Sequence, residues 1–93
     1  MYLPNVFSPN LDGVNDLFIV ETALAVQNFD MQIFDRWGGL LFRSSDINNG
    51  WDGSARGRAM NPGVYAYMIR FEFVDGAGEI QAFLQSGDVL LVR

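Results

Sequence analysis

Short runs of β-forming residues, each closed by Gly, Pro, Asn or Asp, follow one another along most of this chain. The longest run, residues 64–74, places a large apolar side chain at every second position from Tyr65 to Phe73. Alternation with period two turns all of these side chains to one face of a strand. Turn signals recur roughly every 8–12 residues, which is typical of all-β domains. The pattern predicts an all-β fold with almost no helix.

Seven strand candidates follow from this pattern, and 93 residues are enough for one domain with one modest core. About seven short antiparallel strands in one domain predict an immunoglobulin-like β-sandwich. A small barrel is the alternative. The candidates are residues 2–7, 17–21, 26–37, 40–43, 64–74, 80–84 and 89–92. We expect the first to lie at a sheet edge because of Pro4.

Glycine marks the predicted turns. We expect Gly38 and Gly39 to form a two-residue hairpin turn with positive φ angles. Residues 61–64 suit a type II turn, 75–78 a hairpin loop, and 86–87 a bend or bulge between two strands. Residues 44–60 form the longest loop, in which we expect only Ile47 and Trp51 to be buried.

The residue types that are missing exclude most enzyme classes. The sequence has no Cys, no His and no Lys, so it offers no common zinc site, no Ser-His-Asp triad, no P-loop and no Schiff base. Carboxylate chemistry remains, but the eleven acidic residues are scattered through turns. We therefore expect no enzymatic activity.

Charge and hydropathy also limit the partners. The net charge is −5 and the sequence contains no basic run, so nucleic acid is not an expected partner. No apolar run approaches the ~18 residues of a membrane span, so we expect no membrane insertion.

A polar loop at residues 10–16 has oxygen-bearing side chains around Gly13, as calcium loops do. If Gly13 takes the sixth loop position, Asn10 and Asp12 fall at the third and fifth, and Asp16 at the ninth. The twelfth position is then Ile19, where such loops carry a bidentate Glu. The alternative is that the Asn and Asp side chains close Asx turns while Gly13 adopts a left-handed conformation.

Calcium is the only cofactor that the sequence suggests. Asn10, Asp12 and Asp16 are its candidate ligands. These side chains alone would hold it weakly, so another loop would have to complete the shell through Asp52 or Asp88.

Both tryptophans are followed by turn residues, and each has two interpretations. Trp37 either caps the core, with Arg36 stacked on an aromatic ring or paired with an acid, or it contacts a partner protein. Trp51 either folds back over the sandwich while Asp52 accepts backbone N–H groups, or it stacks on a sugar ring. We expect the core position for both.

Four motifs, in this order, carry a resemblance that spans about residues 3–93. Together they resemble the gliding-motility-associated C-terminal domain, the type B sorting domain of the type IX secretion system in Bacteroidetes. Leu11, Asp35 and Gly39 depart from its usual residues. The motifs are Pro4-Asn5-Val6-Phe7-Ser8-Pro9-Asn10-Leu11-Asp12-Gly13-Val14-Asn15-Asp16, Ile33-Phe34-Asp35-Arg36-Trp37-Gly38, Gly50-Trp51-Asp52-Gly53 and Pro62-Gly63-Val64-Tyr65-Ala66-Tyr67.

The resemblance implies an immunoglobulin-like sandwich that acts as a targeting module. Components of the outer-membrane type IX translocon would recognise the folded domain after its parent protein reaches the periplasm. The parent would then arrive at the cell surface or in the medium. Because residues 1–4 lack the features of a signal peptide, we expect this single domain, residues 1–93, to belong to a longer exported protein.

The recognised surface is expected at loop ends and at the last strand. Two alternatives remain for the function: a structural domain similar to the immunoglobulin-like domain of the flagellar hook-capping protein, and a calcium-dependent carbohydrate-binding module. The residues expected to contact a translocon component are Asn10, Asp12, Gly13, Asn15, Asp16, Arg36, Trp37, Gly38, Val92 and Arg93.

Overall fold

The computed structural model of the chain is an all-β fold built on one five-stranded sheet. It describes residues 6–7, 17–20, 22 and 25–92, and none of these is helical. The strands are β1 (Val6–Phe7), β2 (Val26–Phe34), β3 (Leu40–Ser44), β4 (Ser54–Ala55), β5 (Arg58–Ala59), β6 (Gly63–Val74) and β7 (Ile80–Leu91).

The sheet has the strand order β1-β7-β6-β2-β3, and β4 and β5 form a separate hairpin. Described neighbours pair antiparallel, apart from the parallel pair of β1 with β7. The all-β class is thereby confirmed. β1 lies at a sheet edge, as Pro4 led us to expect. A layer of loop residues and the β4–β5 hairpin covers one face of the sheet, an arrangement consistent with a sandwich.

The core lies between that layer and the sheet. Trp51 and Phe18 contribute from the layer, and Met31, Ile33 and Ile69 from the sheet. The alternating side chains predicted to share a face of β6 do so, since Tyr67, Ile69 and Phe71 are buried. No helix in the described part of the chain is long and apolar enough to cross a membrane.

β7 is one strand of 12 residues, paired with β6 from end to end. The prediction of two strands interrupted at residues 86–87 was therefore wrong. Gly87 stays in the ladder opposite Tyr67, and an added Cβ would lie 3.0 Å from the Tyr67 Oη. The tyrosine ring occupies the space that a side chain at position 87 would need. Gly87 thus marks a close approach of side chain to backbone.

β2 ends at Phe34, three residues before the predicted end at Trp37. The turn that follows has five residues, because the Asp35 N–H donates to the Gly39 carbonyl at 2.9 Å. The Gly38 N–H in turn donates to the Asp35 carbonyl at 3.0 Å. Only Gly38, with φ +83°, has the left-handed conformation expected for both glycines. The prediction of a two-residue turn was wrong, because the Asp35 carboxylate stabilises a longer turn through hydrogen bonds from the N–H groups of Trp37 and Gly39.

Residues 17–20 contribute to the fold without forming the predicted strand. Phe18 makes an isolated bridge with Trp51, through backbone hydrogen bonds of 2.8 and 2.9 Å. Close approach of the two chains requires Gly50, where an added Cβ would lie 2.8 Å from the Phe18 carbonyl oxygen. This bridge joins two segments of the covering layer, and the side chains of Phe18 and Trp51 both pack in the core.

Candidate functional site

An open groove of about 1200 Å³ lies at one end of the sheet. Its walls are the turn after β2, the segment that leads into β6, and the last part of β7. The residues that line it include Asp35, Arg36, Trp37, Arg58, Val64, Tyr65 and Asp88.

Strand register explains why these segments meet. Phe34 lies opposite Ala66, and Gly63 lies opposite Leu91. The turn after β2, the start of β6 and the end of β7 therefore share one end of the sheet. Val92 follows β7 directly, and Phe7 lies opposite Leu91 at this same end.

Arg36, Trp37 and Gly38 form the most exposed wall of the groove. Trp37 is 81% exposed, so the prediction that it caps the core was wrong. Trp37 stands at the central position of the turn between β2 and β3. Arg36 was expected to stack on an aromatic ring, and its guanidinium carbon lies 4.7 Å from the centre of the Trp37 ring. At that distance a cation–π interaction contributes about 0.5–1 kcal/mol at an exposed site.

Hydrogen bonds hold this turn firmly even though its side chains are exposed. The Asp35 Oδ1 accepts the N–H of Trp37 at 2.9 Å and the N–H of Gly39 at 2.8 Å. These hydrogen bonds restrict the backbone conformation of the turn, although the Trp37 ring itself is exposed.

The segment before β6 forms the opposite wall. A type II turn was predicted at residues 61–64, but Gly63 has φ +154° instead of about +80° and already pairs with Leu91. The Tyr65 hydroxyl donates to the Asn61 carbonyl, which holds the segment against the strand. Val64 is 58% exposed, although β6 is an inner strand of the sheet.

Sequence reasoning missed Val64 and Arg58 as parts of this site. Alternation predicted correctly that Val64 faces away from Tyr65, but no pattern in the sequence indicates which face of a strand stays uncovered. Arg58 belongs to a two-residue strand inside the long loop, too short to give a periodic signal.

Charges of both signs line the groove. Arg36 and Arg58 are exposed cations, and Asp35 and Asp88 are the acids. Because the Asp35 carboxylate already accepts two backbone N–H groups, Asp88 is the more available of the two acids.

Trp51 and Asp52 have structural roles, as predicted. The Trp51 side chain is 0% exposed, and its Nε1–H donates to the Ser54 carbonyl at 2.8 Å. The Asp52 Oδ1 accepts the Ser54 N–H at 3.0 Å. The Trp51 ring packs edge to face on the ring of Tyr65, with 5.2 Å between ring centres. Because Tyr65 lines the groove, Trp51 helps to hold one of its walls in place. A buried ring cannot stack on a sugar, which removes Trp51 as a carbohydrate platform.

The predicted calcium loop and much of the predicted recognition surface lie outside the described residues. These are Asn10, Asp12, Gly13, Asn15, Asp16 and Arg93. Within the described ranges, no three acidic side chains come together as a metal site. Asp52 and Asp88, which were expected to complete a calcium shell, stand on different elements: Asp52 in the long loop and Asp88 in β7.

Residues 1–85 match the CHU_C type IX secretion signal domain. A search of curated proteins found no match. The family match spans most of the 93 residues, including every element up to the middle of β7. The chain therefore belongs to the CHU_C family of type IX secretion signal domains and serves as a sorting module.

Proposed function

We propose that this domain directs the protein that contains it through the type IX secretion system of a member of the Bacteroidetes to the cell surface or the medium. The domain acts by being recognised, without catalysis, when an outer-membrane translocon component contacts its folded surface during transit through the periplasm. The observation that carries the site assignment is Trp37, 81% exposed beside an open groove.

Trp37 has the properties of a residue that dominates an interface. Trp and Arg are enriched among the residues that contribute most to binding, and here Arg36 stacks on the Trp37 ring. The hydrogen bonds of Asp35 already order the backbone of the turn. Binding therefore costs little additional conformational entropy.

Neighbouring segments extend this surface in the proposal. Val92 and Arg93 follow β7, and residues 10–16 follow the strand β1. Within the described residues, Val92 and the end of β1 at Phe7 lie at the end of the sheet that holds the groove. In the proposal the partner contacts the groove and Val92, and residues 10–16 and Arg93, which lie outside the described residues, supply further contacts.

The proposed site is tested by changing Trp37 to Ala in a reporter that carries an export signal before it and this domain after it. Trp37→Ala should lower affinity for the translocon about 30-fold if the ring contributes about 2 kcal/mol. We expect the reporter to accumulate in the periplasm. Secretion is measured as the fraction of fluorescence in the medium and on the cell surface.

Val74→Ala is the matched control, because Val74 is 55% exposed at the opposite end of β6. It should leave secretion unchanged. Thermal unfolding of both purified variants checks that each remains folded. Normal secretion of a folded Trp37→Ala variant would remove the groove from the proposal.

A further inference from the structure

The outer edge of β7 is a second surface, separate from the groove. One edge of this strand pairs with β6 over all 12 residues. On its other edge, the described part of the chain supplies a partner only at Leu90 and Leu91, through β1. Residues 80–89 therefore present one edge that no described strand covers.

The hairpin that precedes β7 determines which backbone groups point outward. The Asp75 N–H donates to the Glu79 carbonyl, so these two residues form a hydrogen-bonded pair. Pairs alternate along an antiparallel ladder, so the odd-numbered residues of β7 bond to β6. The N–H and C=O groups of Ile80, Ala82, Leu84 and Ser86 are then directed away from β6.

This edge lacks the features that normally prevent strands from pairing there. Proteins protect exposed edges with charges, proline, bulges or short strands. Residues 80–87 contain no charge and no proline, and their register with β6 is continuous. The opposite edge of the sheet differs, because β3 has five residues, a register shift and the charged Arg43.

Exposed apolar side chains accompany the outward backbone groups. Ile80 is 62% exposed and Leu84 is 67% exposed. Strand addition uses main-chain hydrogen bonds for affinity and alternate side chains for specificity. The β7 edge offers both over residues 80–86.

Charge identifies the kind of strand that fits. Residues 75–92 contain three acids, Asp75, Glu79 and Asp88, and no basic residue. Glu79 and Asp88 stand just outside the uncharged stretch, one at each end. A second copy of this chain would bring another net charge of −5 to the contact, which disfavours self-association.

We propose that the outer edge of β7, over residues 80–86, binds an extended segment of a partner protein by strand addition. The segment has an uncharged β-forming centre and basic residues at both ends, which face Glu79 and Asp88. This interaction goes beyond the groove, because it uses the outer backbone edge of β7 over residues 80–86, and of the residues named for it only Asp88 also lines the groove. It concerns the purified domain, so a failure of secretion would not by itself affect it.

The probe is a fluorescently labelled peptide of alternating Thr and Val with one Lys at each end. It spans the roughly 30 Å between residues 79 and 88 at about 3.4 Å per residue. We expect saturable binding to the domain by fluorescence anisotropy. Amide hydrogen exchange at Ala82, Leu84 and Ser86 should slow about tenfold on saturation.

Two controls distinguish binding through main-chain hydrogen bonds from binding through side-chain contacts alone. The same peptide with alternate amides N-methylated lacks donors on one edge and should bind about tenfold more weakly. In the protein, Leu84→Pro removes an outward N–H while sparing the ladder with β6, and it should cause a similar loss. Leu84→Thr keeps the N–H, so its affinity should stay closer to the parent value.

Several outcomes would overturn the proposal. They are no binding of the Lys-flanked peptide, equal binding of the methylated peptide, and equal binding of a Glu-flanked peptide. The methylated peptide is tested on the unchanged domain. The proposal can therefore be tested even if the Leu84→Pro variant does not fold. Sedimentation of the domain alone gives a further check. A dimer that Leu84→Pro or a charged residue at Ala82 abolishes would assign the edge to a second copy instead of a partner.

Discussion

Two tryptophans with similar neighbours in the sequence have opposite environments in the fold. Trp51 is 0% exposed and Trp37 is 81% exposed. The burial of Trp51 depends on Gly50, which lets its backbone pair with Phe18. Trp37 stands at the centre of a hairpin turn, where no described segment covers it. Local sequence favoured turns at both places, but only tertiary packing decides whether a turn folds back on the core.

Fluorescence quenching tests these two environments. In the variant Trp37→Phe the remaining tryptophan, Trp51, should be almost inaccessible to iodide, whereas the unchanged domain should show a strongly quenched component from Trp37. The physical reason is that a charged quencher needs contact with the ring and does not enter an apolar core. Strong quenching of the variant in its folded state would contradict the burial of Trp51.

At the scale of elements, β7 shows how one glycine can mislead a prediction. Ser86 and Gly87 together resemble a turn signal, yet they lie in an unbroken strand because the Tyr67 ring packs over Gly87. The alternation along β6 was predicted correctly, because it repeats over many positions. The cross-strand contact that explains Gly87 joins residues far apart in the sequence, so no local pattern contains it.

The contact predicts that Gly87→Ala destabilises the domain. The new methyl group would lie 3.0 Å from the Tyr67 Oη and 3.2 Å from Cζ. The buried Tyr67 ring resists the shift that this requires, because it packs on Phe18 and its hydroxyl accepts a hydrogen bond from Gln85, so we expect a loss of about 1 kcal/mol. Gly76→Ala is the control, because nothing lies within 4 Å of its Cβ position and surface changes usually stay within about 0.5 kcal/mol. Urea unfolding measures both variants. Equal stability of the two would show that Tyr67 does not pack over Gly87 as described.

Two hairpins of the sheet use the same turn. Asp35 and Asp75 each accept two backbone N–H groups through Oδ1, from the second and fourth residues after them. Gly38 and Gly78 take the left-handed position in their turns, with φ +83° and +81°. The hairpin loop predicted at residues 75–78 is confirmed. The equivalent turn after β2 was missed because Gly39 suggested a shorter one.

The second turn predicts a particular dependence of stability on pH. Hydrogen bonds from the Glu79 N–H, the Gln81 side chain and the Ala77 N–H lower the pKa of the Asp75 carboxyl group below its ordinary value. A carboxyl group whose pKa is lower in the folded state stabilises the fold above its unfolded pKa, and this contribution is lost as pH falls through the folded pKa. Asp75→Asn should therefore flatten the loss of stability in that acidic range. Unfolding midpoints measured from neutral to acidic pH check this, and an unchanged slope would contradict it.

At the scale of the whole molecule, residues from two of the four motifs that resemble the sorting family have structural roles. Trp51 and Asp52 build the covering layer, and Tyr65 supports both that layer and the groove. The motifs that contain these residues contributed to the prediction of the family, whereas the period-two alternation and the spacing of the turn signals predicted the fold class from sequence. The recognition surface was harder to predict, because exposure depends on how strands from distant parts of the chain are arranged. Val64 and Arg58 line the same groove as Trp37, but they belong to β6 and β5, far from Trp37 in the sequence.

The most direct test of the central claim is secretion of a fluorescent reporter with an export signal at its start and this domain at its end. It is expressed in a Bacteroidetes host with and without a working type IX translocon. We predict fluorescence at the cell surface or in the medium only when the translocon works, and retention in the periplasm when it does not. Periplasmic retention in both hosts, with the domain folded, would contradict the claim that this domain is a sufficient sorting signal.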